Sequence, residues 1–225
     1  MKLSVIVPTF NEEAVIAEAL QRVVVTAVPY ELIVADGCST DRTAELSRPY
    51  ATVIALPVSR GAALNRAASV ATGDVLLFLH ADTILPKGAS AAIVQALQRA
   101  NVIGGAFRLR LDHPGRMAAF VGNSVNVRSS LTNTFFGDQA MFVRREVFAR
   151  AGGFEDWSVM EDLEILARLR RYGRLVLLDL EVLTSARRHR TRGWLKTLGT
   201  VWGLTLLNRL GVPGHAMRRW YTPQR

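Results

Sequence analysis

Cysteine occurs once, at Cys38. A single thiol cannot staple the chain internally, and a reducing compartment is the expectation. No apolar run reaches the ~18 residues of a membrane-spanning helix. Met1 and Lys2 lead straight into Leu-Ser-Val-Ile-Val-Pro, too short for the apolar core of a secretory leader, so a cytoplasmic chain is expected. Three signatures are missing. There is no Gly-x-Gly-x-x-Gly after the first strand-like run, no Gly-x-x-x-x-Gly-Lys-[Ser/Thr] and no Gly-x-Ser-x-Gly. A dehydrogenase-type dinucleotide site, a P-loop and a hydrolase nucleophile elbow are therefore not expected. Acids are missing from residues 185–225, which carry nine Lys and Arg. The chain has 28 Lys and Arg against 19 Asp and Glu. Residues 1–184 thus hold 28 − 9 = 19 bases and the same 19 acids, and sum to zero. The whole excess of +9 sits in the tail, so no nucleic acid partner is expected.

What is present is enough for a packed core: 225 residues, 49% apolar and 21% charged. β-Branched apolar runs at Leu3–Val7, Glu31–Ala35, Thr52–Leu56 and Asp74–Leu79 read as strands. Helical stretches separate or follow them, from Glu12 to Val24, near Asp41–Leu46, from Gly61 to Ala71 and after Pro86. This alternation predicts βαβ units, hence an α/β fold with a mostly parallel sheet and helices on both faces. The second half is less regular. Strands are expected at Asn101–Leu111, Gln139–Val143 and Val176–Leu183, and helices at Arg116–Ser129, Arg145–Arg150, Glu161–Tyr172 and Trp194–Leu210. In the Glu161–Tyr172 stretch Leu163, Leu166 and Leu169 share one side. No linker divides the chain. We expect one domain over 1–190, with a donor-binding half (1–100) and an acceptor and catalytic half (101–190), then a basic helix and tail over 191–225.

Open parallel sheets bind ligands at the carboxyl ends of their strands. Here those ends carry Thr9, Asn11 and Glu12; Asp36, Gly37 and Ser39; Arg60 and Gly61; His80 and Asp82. Each alone reads equally as a cap or a turn residue. Four clusters on one sheet edge predict a nucleotide site built from side chains.

The motifs Val-Pro-Thr-Phe-Asn-Glu (7–12), Ala-Asp-Gly-Cys-Ser-Thr-Asp (35–41), Arg-Gly-Ala-Ala-Leu-Asn (60–65), Phe-Leu-His-Ala-Asp-Thr (78–83), Gly-Gly-Phe (152–154) and Glu-Asp-Leu-Glu (161–164) stand in this order. The order resembles that of family 2 glycosyltransferases of the GT-A fold, over about residues 1–190. The His-Ala-Asp version resembles a small bacterial branch. By this resemblance Thr9, Glu12 and Asp36 would hold the uridine of a nucleotide-sugar donor, with Asn11 and Ser39 beside them. Arg60, Gly61 and Asn65 would flank the nucleotide. His80, Ala81 and Asp82 would form the acidic motif, with Asp82 toward metal and Asp162 as catalytic base. Relatives carry Asp-x-Asp, so His80 is a departure.

The chemistry asks for these groups. A departing nucleoside diphosphate accumulates charge, which Mn²⁺ or Mg²⁺ neutralises with few protein carboxylates, because phosphates supply the other ligands. Asp82 suits that role, and His80 and His189 are further candidates. Arg187, Arg188 and Arg190 surround His189 and suit a diphosphate. The acceptor hydroxyl must lose a proton. Asp162, beside Glu161 at a helix start, is the expected base, against a simple capping role. With no evident nucleophile, the expected course is a single displacement with inversion. Asp138 and Gln139 are expected on the acceptor side.

The tail holds Trp194, Trp202 and Trp220 with basic residues. It reads either as a helix packed on the domain or as a dock on an anionic membrane surface. A lipid or a small molecule is the expected acceptor accordingly. Two rival readings stand beside a glycosyltransferase. A nucleotidyltransferase would want a basic loop after the first strand, where Thr-Phe-Asn-Glu stands instead. A non-catalytic, membrane-associated nucleotide-binding scaffold is the other.

Overall fold

The structure is a computed structural model and describes residues 1–23, 27–156, 161–210 and 212. Its elements in chain order are β1 (Leu3–Thr9), α1 (Ile16–Gln21), β2 (Tyr30–Asp36), α2 (Thr43–Ser47), β3 (Thr52–Ala55), α3 (Arg60–Val70), β4 (Val75–Phe78), β5 (Thr83–Ile84) and α4 (Ala89–Leu97). There follow β6 (Val102–Leu111), α5 (Arg116–Thr132), a 3₁₀ turn (Gly137–Gln139), β7 (Phe142–Arg144), α6 (Arg145–Arg150), α7 (Glu161–Leu169), β8 (Arg174–Thr184), α8 (Arg187–Arg192) and α9 (Trp194–Arg209).

The strands form one sheet in the order β3-β2-β1-β4-β7-β6-β8-β5. β1 pairs in parallel with β2 and β4, β2 with β3, and β6 with β8. β7 runs antiparallel between β4 and β6, and β5 antiparallel beside β8. The expected α/β sheet is present, and each of its antiparallel pairs involves β7 or β8, strands of the less regular second half. The expected start of the first helix shifts, and its expected last residue, Val24, lies outside the described residues. The first helix is confined to Ile16–Gln21 because Glu12–Val15 forms a turn, with the Val15 and Ile16 N–H groups both on the Glu12 carbonyl. β5 and α8 were not expected. Residues Thr83–Ile84 are too few to show alternation, and Arg187–Arg192 has no apolar stripe to announce a helix.

Burial follows the sequence pattern. β1 and β4 are covered on both faces, as near-continuous apolar strands require. Leu163, Ile165, Leu166 and Leu169 of α7 are buried, each contributing about 1.5–3 kcal/mol of transfer free energy. Gly104 and Gly105 interrupt the apolar run of β6 for a steric reason. At Gly105 a Cβ would collide with the Val176 carbonyl of the neighbouring β8, and at Gly104 with that of Phe142 on β7. Phe78, at the end of β4, packs with Phe148 and Phe154 at ring centroid distances of 5.4 and 4.9 Å. This cluster ties the 152–154 segment to the carboxyl end of β4. Among the described residues no helix is long and apolar enough to cross a membrane.

Candidate active site

Register brings the first two motifs together. Thr9 and Asp36 are partners across β1 and β2. Thr9 Oγ1 donates to Asp36 Oδ1 over 2.9 Å, and Ser39 donates to the same carboxylate from its N–H at 2.8 Å and its hydroxyl at 2.6 Å. Asn11 adopts the left-handed region, with φ of 53°, which its short amide tolerates. Its N–H reaches Ser39 Oγ at 2.9 Å and its Oδ1 accepts from Thr40 N at 2.9 Å. The two loops are thus laced into one wall at the sheet edge.

Glu12 is half-buried beside Arg187, with 3.5 Å between charged atoms. Burial pushes the Glu12 carboxyl up, Arg187 opposes that, and the nearby Asp82 and Asp41 charges add to it. The end of β1, the end of β4 and the start of α8 therefore converge. Asp82 itself is exposed, and its carbonyl accepts from Ser185 N at 3.2 Å.

A second group lies on the other side of Ala81. Arg60, the first residue of α3, pairs with Glu161 at 2.8 Å and donates to His80 Nε2. Arginine has no acceptor, so His80 Nε2 is the acceptor in this contact. Glu161 is buried. Its neighbour Asp162 accepts from the Gly137 N–H at 2.8 Å on Oδ2 and from its own neighbour Leu163 N at 2.9 Å on Oδ1. Burial raises the Asp162 carboxyl to about 7, reinforced by the Glu161 and Asp138 charges and opposed by the Gly137 hydrogen bond and Arg60. A carboxylate poised near neutral pH can exchange a proton with an alcohol's environment where an ordinary aspartate is a weak base.

Some expected residues do structural work instead. Asn65 spends its amide on Phe154, accepting from its N–H at 2.8 Å and donating to its carbonyl at 2.7 Å. It pins the segment leading toward α7. Gly61 is buried within α3 behind the Ser59 cap. Gln139 was expected on the acceptor side but has no exposed surface. Its amide donates to the Phe107 carbonyl at 3.1 Å and accepts from Ser129 Oγ at 3.0 Å, so it anchors the turn rather than facing a ligand. Asp138, next to it, stays half-buried. His189 stacks on Trp194, whose ring also meets His113. Among the described residues no three His, Cys, Asp or Glu side chains gather as a metal site. Asp82, Glu12 and His189 thus do not make a complete ligand set. Arg190 is exposed on α8. The Arg188 side chain and the expected membrane residue Trp220 lie outside the described residues.

Arg128, fully buried behind the turn, was not expected as a site residue, nor was the Gly137 N–H as the group that holds Asp162. Asp138 and Gln139 were expected on the acceptor side, but nothing local in the sequence linked the 137–139 segment to residue 162.

A family model, "Glycosyl transferase family 2", matches residues 4–152. The poly(ribitol-phosphate) beta-N-acetylglucosaminyltransferase TarS of Staphylococcus aureus is 36% identical over 98 residues, which is 39% of this chain and 17% of TarS. Among solved structures, the mannosyltransferase PcManGT from Pyrobaculum calidifontis, in complex with GDP-Man and Mn²⁺, superimposes with a TM-score of 0.67 at 23% identity over 90% of this chain and 64% of that one. Glucosyl-3-phosphoglycerate synthase from Mycobacterium tuberculosis, in complex with Mn²⁺, UDP and glucosyl-3-phosphoglycerate, gives 0.64 at 22% identity over 94% and 81%. These superpositions establish the GT-A, Rossmann-like fold. The chain spans well under two thirds of TarS.

Proposed function

The chain belongs to glycosyl transferase family 2, and we propose that it transfers a sugar from a nucleotide-sugar, UDP-linked, to an acceptor hydroxyl with inversion. The observation that carries the reading is Asp162, held at the sheet edge by Gly137 with its carboxyl raised to about 7. In this reading residues 1–100 bind the donor and 101–190 supply the base and the acceptor side. The Thr9–Asp36–Ser39 wall receives the uracil and ribose. Arg60 and Arg187 face the diphosphate, with Arg190 near it. Asp162 takes the acceptor proton as the new glycosidic bond forms on the face opposite the leaving nucleotide, so one bond forms as one breaks.

Asp82 fits one carboxylate ligand of a divalent cation whose remaining ligands are phosphate oxygens and water, since no three protein ligands gather there among the described residues. Mn²⁺ or Mg²⁺ bound so would neutralise charge on the leaving diphosphate. Arg60 and Arg187 supply part of that neutralisation from the protein. PcManGT and the glucosyl-3-phosphoglycerate synthase both hold Mn²⁺ in their complexes, which supports the choice of ion.

The test is release of nucleoside diphosphate from a panel of UDP-, GDP-, dTDP- and CDP-sugars by the full chain with Mn²⁺. Slow hydrolysis of a UDP-sugar, with water as acceptor, is expected. No release from any donor would return the chain to the non-catalytic reading.

The exposed α5–α9 face favours an amphiphilic acceptor. Met117, Phe120, Val127 and Leu131 are exposed along one side of α5, and Leu195, Trp202, Leu206 and Leu210 on or just beyond α9. The spacings place each set on one helix face. Trp202 Nε1 donates to Ser124 Oγ at 3.1 Å, joining the two faces. The adjoining basic, acid-free tail complements an anionic lipid surface. Sedimentation with anionic vesicles at low salt, reversed by added salt, is expected. Equal partition to neutral vesicles, or a dimer in solution, would overturn this part.

A further inference from the structure

Arg128, on α5, is the largest fully buried side chain among the described residues. Its surroundings are specific. Nη2 donates to Gln139 Oε1 and to Ser129 Oγ, each at 3.3 Å. The guanidinium carbon lies 4.2 Å from the centroid of the Phe136 ring, a cation–π distance. Phe136 and Gln139 bracket Gly137 and Asp138. Gln139 Oε1 also accepts from Phe136 N at 3.3 Å, closing the bracket. Arg128 therefore clamps both ends of the turn whose first N–H holds Asp162.

Packing alone does not explain a cation there. Arg128 Nε and Nη1 are buried without a hydrogen-bond partner. A buried, incompletely bonded charge is costly, and an apolar side chain of similar volume would fill the space at less cost. The offset comes from carboxylates. Burial lowers the Arg128 guanidinium to about 10, and the Asp138 charge, then that of Asp162, oppose the burial.

We propose that Arg128 is a positioning residue for the transfer reaction: from behind the 137–139 turn it fixes the Gly137 N–H against Asp162 and places a buried positive charge beside the Asp138 and Asp162 carboxylates. The role in transfer rests on the function proposed above. The charged groups facing Asp162 are Glu161 on its own helix, Asp138 on the turn, Arg60 on α3 with His80 bonded to it, and Arg128 from α5. Arg60 is 37% exposed and its field is screened by water, whereas Arg128 has no exposed surface. Loss of the Arg128 charge leaves three carboxylates facing one partly solvated arginine.

The test uses the full chain with Arg128→Met, which keeps the stem without the charge, and Arg128→Lys, which keeps the charge without the fork. ¹³C NMR titration follows the Asp162 carboxyl, and donor hydrolysis is measured against pH. In Arg128→Met the Asp162 midpoint and the acid limb of the rate profile should both rise by about 0.5–1 pH unit, with UDP affinity unchanged. In Arg128→Lys the midpoint should stay near the wild-type value, while the Gly137 amide resonance moves and hydrolysis falls about threefold, because an ammonium cannot hold Gln139 and Phe136 together. A folded Arg128→Met protein with the wild-type midpoint and rate profile would overturn the proposal. If that variant does not fold, a wild-type Gly137 amide and wild-type hydrolysis in Arg128→Lys overturn it. The titration needs no turnover, so an inactive wild-type chain sinks the transferase reading while the NMR arm still decides the role of Arg128.

Discussion

The Gly137 N–H and the Asp162 carboxylate meet at 2.8 Å, joining the turn before β7 to the first residues of α7 across 25 positions of sequence. A Cβ at 137 would collide with the His80 ring and crowd the Arg60 guanidinium at 3.3 Å. The obstacle is a side chain rather than backbone, so it can move. Gly137→Ala should therefore fold, displace His80 from Arg60 and lower donor turnover about tenfold or more. A variant with wild-type turnover would show that the His80–Arg60 contact is irrelevant to the reaction.

Arg187 opposes the burial of Glu12 beside Asp82. If it also faces the diphosphate, Arg187→Gln should weaken UDP binding about three- to tenfold and leave uridine binding unchanged. Calorimetric titration with both ligands separates the cases. An equal loss for uridine would place Arg187 on the nucleoside rather than the phosphates.

Nucleotide and metal should bind cooperatively. Asp82 is short of protein co-ligands among the described residues, so a cation there depends on phosphate oxygens, and each ligand strengthens the other. UDP should raise the melting temperature more with Mn²⁺ than with EDTA. The same UDP shift in both would remove the metal from the account.

The raised Asp162 carboxyl has a consequence for stability. Its folded value, about 7, lies above the unfolded value of 3.8. Ionising it therefore costs the folded state. The cost is absent below the unfolded value, grows as pH climbs toward 7 and is constant above it. Asp162→Asn carries no such cost. The melting temperature of the variant relative to wild type should rise between pH 4.5 and pH 8, by about 2–4 °C per kcal/mol relieved. A pH-independent difference would show that the carboxyl is not raised.

Much of the fold was readable because its signals are local. β1, β2 and β4 are apolar runs, and Leu163, Leu166 and Leu169 repeat at helical spacing in α7. The Thr9–Asp36 pair was readable too, since parallel neighbours align their carboxyl ends. The rest depended on contacts distant in sequence. Asn65 looked like a ligand residue until the Phe154 backbone took its amide. Gln139 was expected to face the acceptor, yet its amide is taken up by Arg128, Ser129 and the Phe107 carbonyl. An arginine amid α5 reads as surface charge, and only the packed fold shows it buried.

Donor turnover by Asp162→Asn decides whether the Asp162 carboxylate is the base. Asparagine keeps the size of the side chain and an oxygen for the Gly137 N–H but cannot accept the acceptor proton. The variant, with Mn²⁺ and the donor found by the panel, should lose about 10²–10⁴-fold in turnover while its UDP dissociation constant changes little. Asparagine is also a good helix cap, so a residue that merely caps α7 would tolerate the change. Wild-type turnover in Asp162→Asn would contradict the account and leave Glu161 as the next carboxylate to test.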